Sequence, residues 1–587
     1  MNLNISLLLL LLFLGCDTKE EGGTTVKRPN IVLIIADDQG WGDLSISGNS
    51  NLSTPNIDAL AQNGVSFENF YVQPVCSPTR AEILCGRQFQ RLGVYGTSAG
   101  GERLNLDETT IAEVFKKAGY QTAVYGKWHS GMQPPYHPNS RGFDDFYGFA
   151  SGHWGNYFDP LIEHNGKLVK GKGFLADDLT NRALEFIIKN KEKPFLLYVP
   201  YNTPHSPMQV PDKYWNKFKD KVLTEKHRDT IIEDPNFTRA ALAMVENIDD
   251  NVGRIINKLQ ELNLEENTII VYLSDNGPNG WRWNAGMRGK KGSVDEGGVR
   301  SPLFISWKNT IPTFKNITQI TSAIDILPTL AGLAGIEAKT QKPQDGLNTE
   351  PLIFEENPSW ESRFIYNHWN DKTSVRSQEF RLDDENRLYH IPSDLGQTRD
   401  VAKDYPEVYT SHLNAKENWQ KEVPVASKSI RPFTLGHPKF ITTQLPARDG
   451  IAHGGIKRSN KYPNCSFFTN WKNLGDSITW DVEVLSDGDY EVILYYTCTK
   501  KNVGSTILLE LDSNSLGKKI TEYHDTPLSG MENDRIPRIE SYIKDFKPVS
   551  MGIMKLKKGK GQLTLRASEI IGEEVIDFRL LLFNKLN

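Results

Sequence analysis

Four short apolar runs constrain this 587-residue chain more than any other feature. Residues 30–35, 121–125, 195–199 and 268–273 are nearly unbroken series of β-branched, aliphatic and aromatic side chains. They are too short for buried helices and apolar at consecutive positions, as strands are when both sheet faces are covered. Helical patterns lie between them. Thr54 as N-cap, Pro55 at the first helical position and Gly64 at the far end bracket 56–63, and Val245, Ile248, Val252, Ile255, Ile256, Leu259 and Leu262 recur at helical spacing. Over about residues 30–310 this alternation predicts parallel strands joined by crossover helices. From about residue 425 the grammar changes. Runs at 478–484, 490–497, 506–511, 562–566 and 576–583, with an Asp487-Gly488 turn, read as strands of a β-sandwich. Its shape is like that of the jelly-roll modules appended to carbohydrate enzymes.

In open α/β sheets ligands bind beyond the carboxyl ends of the strands, and all four ends carry chemistry here. Asp37-Asp38 follows the first, Lys127-Trp128-His129 the second, Pro204-His205 the third and Asp275-Asn276-Gly277 the fourth. Asp37 and Asp38 repel unless a cation separates them, and with Asp275 and Asn276 they make an all-oxygen set suited to calcium or magnesium. No Cys/His spacing fits zinc. Pro78 and Gly86 bracket a short helix that puts Cys76 at its N-terminus, a seat for an anion, with the planar donor fork of Arg80 one turn on.

Cys76-Ser77-Pro78-Thr79-Arg80 followed by Cys85-Gly86-Arg87 resembles the signature of the formylglycine-dependent (type I) sulfatases, with Thr79 and Cys85 as departures from its usual form. The resemblance runs from about residue 28 to 425 and includes Thr54-Pro55-Asn56-Ile57-Asp58, Gly126-Lys127-Trp128-His129, Ser274-Asp275-Asn276-Gly277, Arg288-Gly289-Lys290-Lys291-Gly292, Glu296-Gly297-Gly298-Val299-Arg300, Leu388-Tyr389-His390 and Asp394. It implies an α/β, alkaline-phosphatase-like mixed sheet sandwiched by helices at 28–340 and a smaller subdomain at 341–425, to which the strand pattern adds a β-sandwich at 426–587. It also implies that a maturation enzyme converts Cys76 to formylglycine, and that Asp37, Asp38, Asp275 and Asn276, with the modified Cys76, hold one calcium ion, magnesium being the second choice. Arg80, Lys127 and Lys291 would neutralise the sulfate, His129 would act as base on the aldehyde hydrate, and His205 with Lys291 would protonate the departing oxygen. Spacing to Gly292 selects Lys291 over the adjoining Lys290.

Aromatics mixed with Asn, His and Arg suit sugar recognition, so His153, Trp154, Asn156, Trp281, Arg282 and His368 are the expected substrate contacts. The substrate classes are sulfated algal polysaccharides such as ulvan or carrageenan, their oligosaccharides, or host glycosaminoglycans. Two other readings stand beside this one: a phosphatase or phosphonate hydrolase of the same superfold, and a non-catalytic glycan-binding lipoprotein. A net charge of −5 carries no basic footprint for nucleic acid. Residues 1–16 read as an export signal whose end resembles a lipobox, with Cys16 the lipidated residue and 17–27 a tether. That predicts an exported bacterial lipoprotein in the periplasm or at the outer-membrane surface, held to the membrane only by its lipid. Cys465 and Cys498 are candidates for pairing after export.

Overall fold

The computed structural model describes residues 28–423 and 431–586. The export segment, Cys16, the tether and the expected 425/426 boundary lie outside the described residues. At the centre of a ten-stranded sheet, Thr268–Ser274, Asn30–Asp37, Phe195–Pro204 and Gln121–Lys127 lie side by side in that order, all parallel. Their continuous apolar character has a direct cause. Val32, Ile34 and Ala36 of the first strand enter one core cluster while Ile31, Leu33 and Ile35 enter another, so the period-two alternation serves two hydrophobic faces. Pro235–Glu261 and Leu175–Asn190 cover one face, and Cys76–Cys85, Ile111–Lys117 and Ile326–Leu333 the other.

Antiparallel neighbours make the whole sheet mixed. Leu303–Ser306 runs against Thr268–Ser274 on one flank, and Leu161–His164 against Asp145–Phe149 on the other. A four-stranded antiparallel sheet follows (Ile365–Trp369, Lys372–Arg376, Phe380–Leu382, Leu388–His390), backed by the helix Pro406–Glu422. The C-terminal part is two six-stranded sheets around one core that includes Trp471 and Trp480. Thr506–Leu511 shows the alternation cleanly, every second residue being buried. Cys465 and Cys498, the candidates for pairing, are both free thiols. The Cys465 Sγ donates to the distant carbonyl of His153, whereas Cys498 follows the strand Gly488–Thr497 and donates to the carbonyl of the next residue, Thr499, so each thiol has a backbone acceptor of its own.

The small sheet is tied to the part built on the ten-stranded sheet by buried charge. The Glu296 carboxylate accepts from Arg381 at 2.8 Å, Arg376 at 3.2 Å and the Tyr71 hydroxyl at 3.1 Å. Burial alone would raise this carboxyl, but the two guanidiniums outweigh it and bring the pKa to about 2. Replacing Glu296 with Gln leaves two buried cations without their counter-charge, a change that costs about 3–5 kcal/mol when a buried pair is broken. A clear fall in the urea midpoint of the protein is expected for Glu296→Gln; an unchanged midpoint would show that the pair does not hold the two sheets together.

Candidate active site

The backbone at the strand ends turns abruptly. Asp38 and His129, each just past a central strand, take left-handed conformations with φ of 67° and 58°. Such strain in non-glycine residues concentrates where a site requires a particular aim. The Asp38 N–H donates to Asp275 Oδ1 at 3.1 Å, and the Asn276 side-chain amide donates to Asp38 Oδ1 at 2.9 Å, which joins the first and fourth strand ends. Arg282 contributes from below. It forks onto Asp43 at 2.6–2.9 Å and donates to the Asp38 carbonyl at 3.1 Å.

Cys76 is the first residue of its helix, after Val75 in extended conformation, and no side chain caps the helix. Gly86 ends it in the left-handed region that a side chain resists. Thr79 accepts from the Gln73 N–H at 2.9 Å, and Cys85 is packed in the core with its thiol pushed up to about 12 by burial. Both departures from the signature thus have structural partners, Thr79 in the backbone of Gln73 and Cys85 in the core. Ligand atoms of Asp37, Cys76 and Asp275 lie within 4.8 Å of one another, all buried.

Around them the charges are balanced in place. Arg80 donates twice to Asp275 Oδ2, at 2.7 and 2.9 Å, and once to the Lys127 carbonyl at 2.9 Å. Lys127 Nζ lies 2.7 Å from Asp37 Oδ2, and Lys291 Nζ 2.8 Å from Asp38 Oδ2. Lys290, by contrast, sits over the Trp281 ring at 4.9 Å. Burial pushes Asp38 upward, yet Lys291, His205 and Lys127 prevail and hold it below the carboxylate range. Asp275 goes the other way: burial, then the charge of Asp37, lift it to about 6 despite Arg80. Asp37 Oδ1 and Asn276 Oδ1 are buried acceptors without a partner. Two orphaned oxygens, a carboxylate raised by its neighbour and an all-oxygen donor set fit a hard divalent cation.

Three histidines face this floor. His129 Nε2 is 2.7 Å from the Thr97 carbonyl and therefore carries the hydrogen, leaving Nδ1 as a buried lone pair without a partner. Burial, then Lys127, keep its pKa well below the usual histidine range. His205 donates from Nδ1 to the Ser206 carbonyl at 2.7 Å and turns Nε2 toward Asp38 Oδ2 at 3.6 Å; burial, then Lys291, lower it to about 4. The His153 ring lies 5.4 Å from that of His205, with neither nitrogen bonded. Gly152 must be glycine, since a Cβ there would stand 2.2 Å from His129 Nε2.

Asp38, Cys76, His129, His153, His205 and Lys291 all open onto one cavity of about 740 Å³. Roomier clefts of about 980 and 900 Å³ flank the helix Pro406–Glu422, away from these strand ends. Of the expected sugar contacts only His153 lines the cavity. Trp154 stacks on Phe149, Asn156 closes a local turn onto the Phe158 carbonyl and Trp281 packs against His227. Arg282 is spent on Asp43, and His368 bonds Thr373 and lies between Phe89 and Trp419. The aromatic residues at the cavity are instead Trp369, Phe237 and Tyr462. Trp369 adjoins His368 in a strand, where successive side chains point to opposite faces, so the aromatic pair was legible but its aim was not.

A model of the sulfatase family matches residues 29–336. Mouse N-acetylgalactosamine-6-sulfatase is 32% identical over 361 residues, which is 55% of this chain and 66% of that protein. Rat arylsulfatase G is 32% identical over 400 residues, 59% of this chain and 72% of that protein. The crystal structure of Ps i-CgsB in complex with k-i-k-neocarrahexaose matches with a TM-score of 0.62 at 32% identity, covering 68% of this chain and 94% of that one. On the family match across more than half its length, the chain belongs to the sulfatase family, the sulfuric ester hydrolases of alkaline-phosphatase-like mixed α/β fold.

Proposed function

We propose that the chain removes sulfate from a sulfated oligosaccharide at the cavity floored by Cys76, after a maturation enzyme has converted Cys76 to formylglycine. The observation that carries this reading is the convergence of Asp37, Cys76 and Asp275 within 4.8 Å at the N-terminus of an uncapped helix. Burial pushes the Cys76 thiol up, so as an unmodified side chain it is protonated and a poor nucleophile. The hydrate of its aldehyde has two hydroxyls. One attacks sulfur and gives up its proton, the sulfur–oxygen bond to the sugar breaks, and the sugar oxygen takes a proton from the Lys291 ammonium, which the proton released by the hydroxyl restores. The second then gives its proton to His129 Nδ1, the aldehyde carbonyl re-forms, and the carbon–oxygen bond to sulfate breaks. Water adds back to the aldehyde.

The flanking residues supply the field. Lys127 and Arg80 approach from the buried side and Lys291 from the cavity side, so a sulfate ester placed above Cys76 meets cations on both. Beside His205, Lys291 stands at Asp38, which aims its ammonium at the departing oxygen, while His205, its hydrogen held on Nδ1 by the Ser206 carbonyl, offers a lone pair from Nε2. Asp37, Asp38, Asp275 and Asn276 would hold calcium, which when bound supplies Lewis-acid polarisation of a sulfate oxygen. Carbohydrate as the substrate is supported by the neocarrahexaose bound in the matched crystal structure, by the name of the mouse relative, and by Trp369 and Tyr462 at the cavity rim. An algal sulfated polysaccharide such as ulvan is the proposed source, with the enzyme exported as a lipoprotein.

Cys76→Ala is expected to abolish sulfate release, with the peptide carrying residue 76 showing an aldehyde by mass spectrometry only in the parent protein. An active protein whose thiol is unmodified would sink the mechanism. Chelation with EGTA should remove activity and calcium restore it better than magnesium; full activity after exhaustive chelation would exclude a required cation. His129→Ala should lower kcat by roughly 10²–10⁴-fold, the usual contribution of a positioned base, with a much smaller change in KM. Equal losses in kcat for His129→Ala and a remote surface variant would remove the role.

A further inference from the structure

The catalytic cavity is not closed by the catalytic domain. Between the sandwich strands Asn514–Lys519 and Lys547–Leu556 the chain leaves the sandwich, and its stretch 529–543 lies across the loops that carry His153 and His205. The attachment is dense and specific. Gln209 forms a β-bridge with Asp534 and its side chain donates to the Gly530 carbonyl at 2.9 Å and to Asp534 at 2.8 Å. The Arg535 N–H donates to the Met208 carbonyl at 2.9 Å. Arg538 pairs with Asp534, donating from Nε at 2.8 Å, and reaches the Gly155 carbonyl. Gly155 itself is pinned, because a Cβ there would meet Ile543 at 2.7 Å.

This stretch presents two charged residues to the cavity, Arg538 and Glu540, and the catalytic scheme uses neither. Glu540 accepts from the Ser206 hydroxyl through Oε1, on the residue that follows His205, while its Oε2 is buried with no partner. Arg538, its close neighbour in sequence, is committed to Asp534. A carboxylate oxygen that is buried, unsatisfied and part of a binding cavity is poised to accept a hydrogen bond from what binds there. It also adds a negative charge to a cavity whose other charged lining residues are Asp38, Asp234, Lys291 and Arg538, and there it opposes a further anion on the substrate.

Resting on the sulfatase reading of the cavity, we propose that Glu540, delivered by the C-terminal sandwich, is a specificity-determining residue: it accepts a hydrogen bond from a free hydroxyl of the sugar beside the scissile ester and rejects sugars that carry a second sulfate there. Ser206 is its positioning residue, holding Oε1 and leaving Oε2 as the unpaired acceptor.

The test uses the matured full-length protein and its Glu540→Gln variant, of equal volume and without the charge. Both are assayed on 4-nitrophenyl sulfate and on sugars that differ by one sulfate, namely N-acetylgalactosamine 6-sulfate against the 4,6-disulfate, and neocarrageenan oligosaccharides of the κ against the ι type. The parent should favour the less sulfated member of the pair it cleaves, and Glu540→Gln should shift the kcat/KM ratio toward the more sulfated member by about tenfold or more, a gain on that substrate that damaged folding cannot produce. A variant that lowers both members equally, or leaves the ratio unchanged, overturns the role of Glu540 while the sulfatase reading stands. A parent protein that releases sulfate from none of these esters, the nitrophenyl ester included, overturns the reading of the cavity and this inference with it.

Discussion

Three buried carboxylates set against three buried or half-buried cations are the constraint on which the rest of the structure depends. Asp37, Asp38 and Asp275 stand at the ends of two adjacent parallel strands, and such charges persist away from water only when paired and hydrogen-bonded. Arg80 arrives from a helix on one face of the sheet, Lys127 from the second strand and Lys291 from a loop beyond the fourth, so the pairing is possible only if every layer packs in register. The left-handed turn at Asp38 is held by Arg282 and Asn276, which bond its carbonyl and its carboxylate. The site and the fold therefore stabilise each other. Orphaned oxygens on Asp37 and Asn276 show that the balance inside the protein is incomplete on the side that faces Cys76.

Much of this was legible in the sequence, for physical reasons. The central strands are covered on both faces, so their composition is uniform and unmistakable, and each of the four runs lies within an observed strand. Pro and Gly punctuate the Cys76 helix because the first helical turn and the left-handed terminus require them. The strand-end residues gathered because parallel neighbours share the same carboxyl edge. What was hidden depends on direction and on distance along the chain. The flanking strands Leu161–His164 and Lys167–Lys170 lie at a sheet edge, mix polar with apolar residues and gave no continuous run. Trp281 and Arg282 have the composition of a sugar site but are drawn into packing and ion pairing, whereas Trp369 and Tyr462 reach the cavity. Glu540 lies more than 330 residues from Ser206, and no local pattern announces a contact of that range.

Histidine tautomers add a further layer of order that only the folded chain reveals. The Thr97 carbonyl fixes the hydrogen of His129 on Nε2, and the Ser206 carbonyl fixes that of His205 on Nδ1. The two rings thus present opposite nitrogens to the same space, one as a free lone pair and the other beside a carboxylate and an ammonium. Backbone carbonyls, which carry no signature in the side-chain sequence, divide the labour between two residues of identical type.

The stretch 529–543 gives the molecule a divided inheritance. Its ends belong to a sandwich with a core of its own, while its middle forms a wall of the cavity. A change in that wall has to satisfy the sandwich and a few loop contacts, and it never touches the strand-end charges. One wall of the cavity is thus built from chain that the sandwich anchors, and its floor from the ends of the sheet strands.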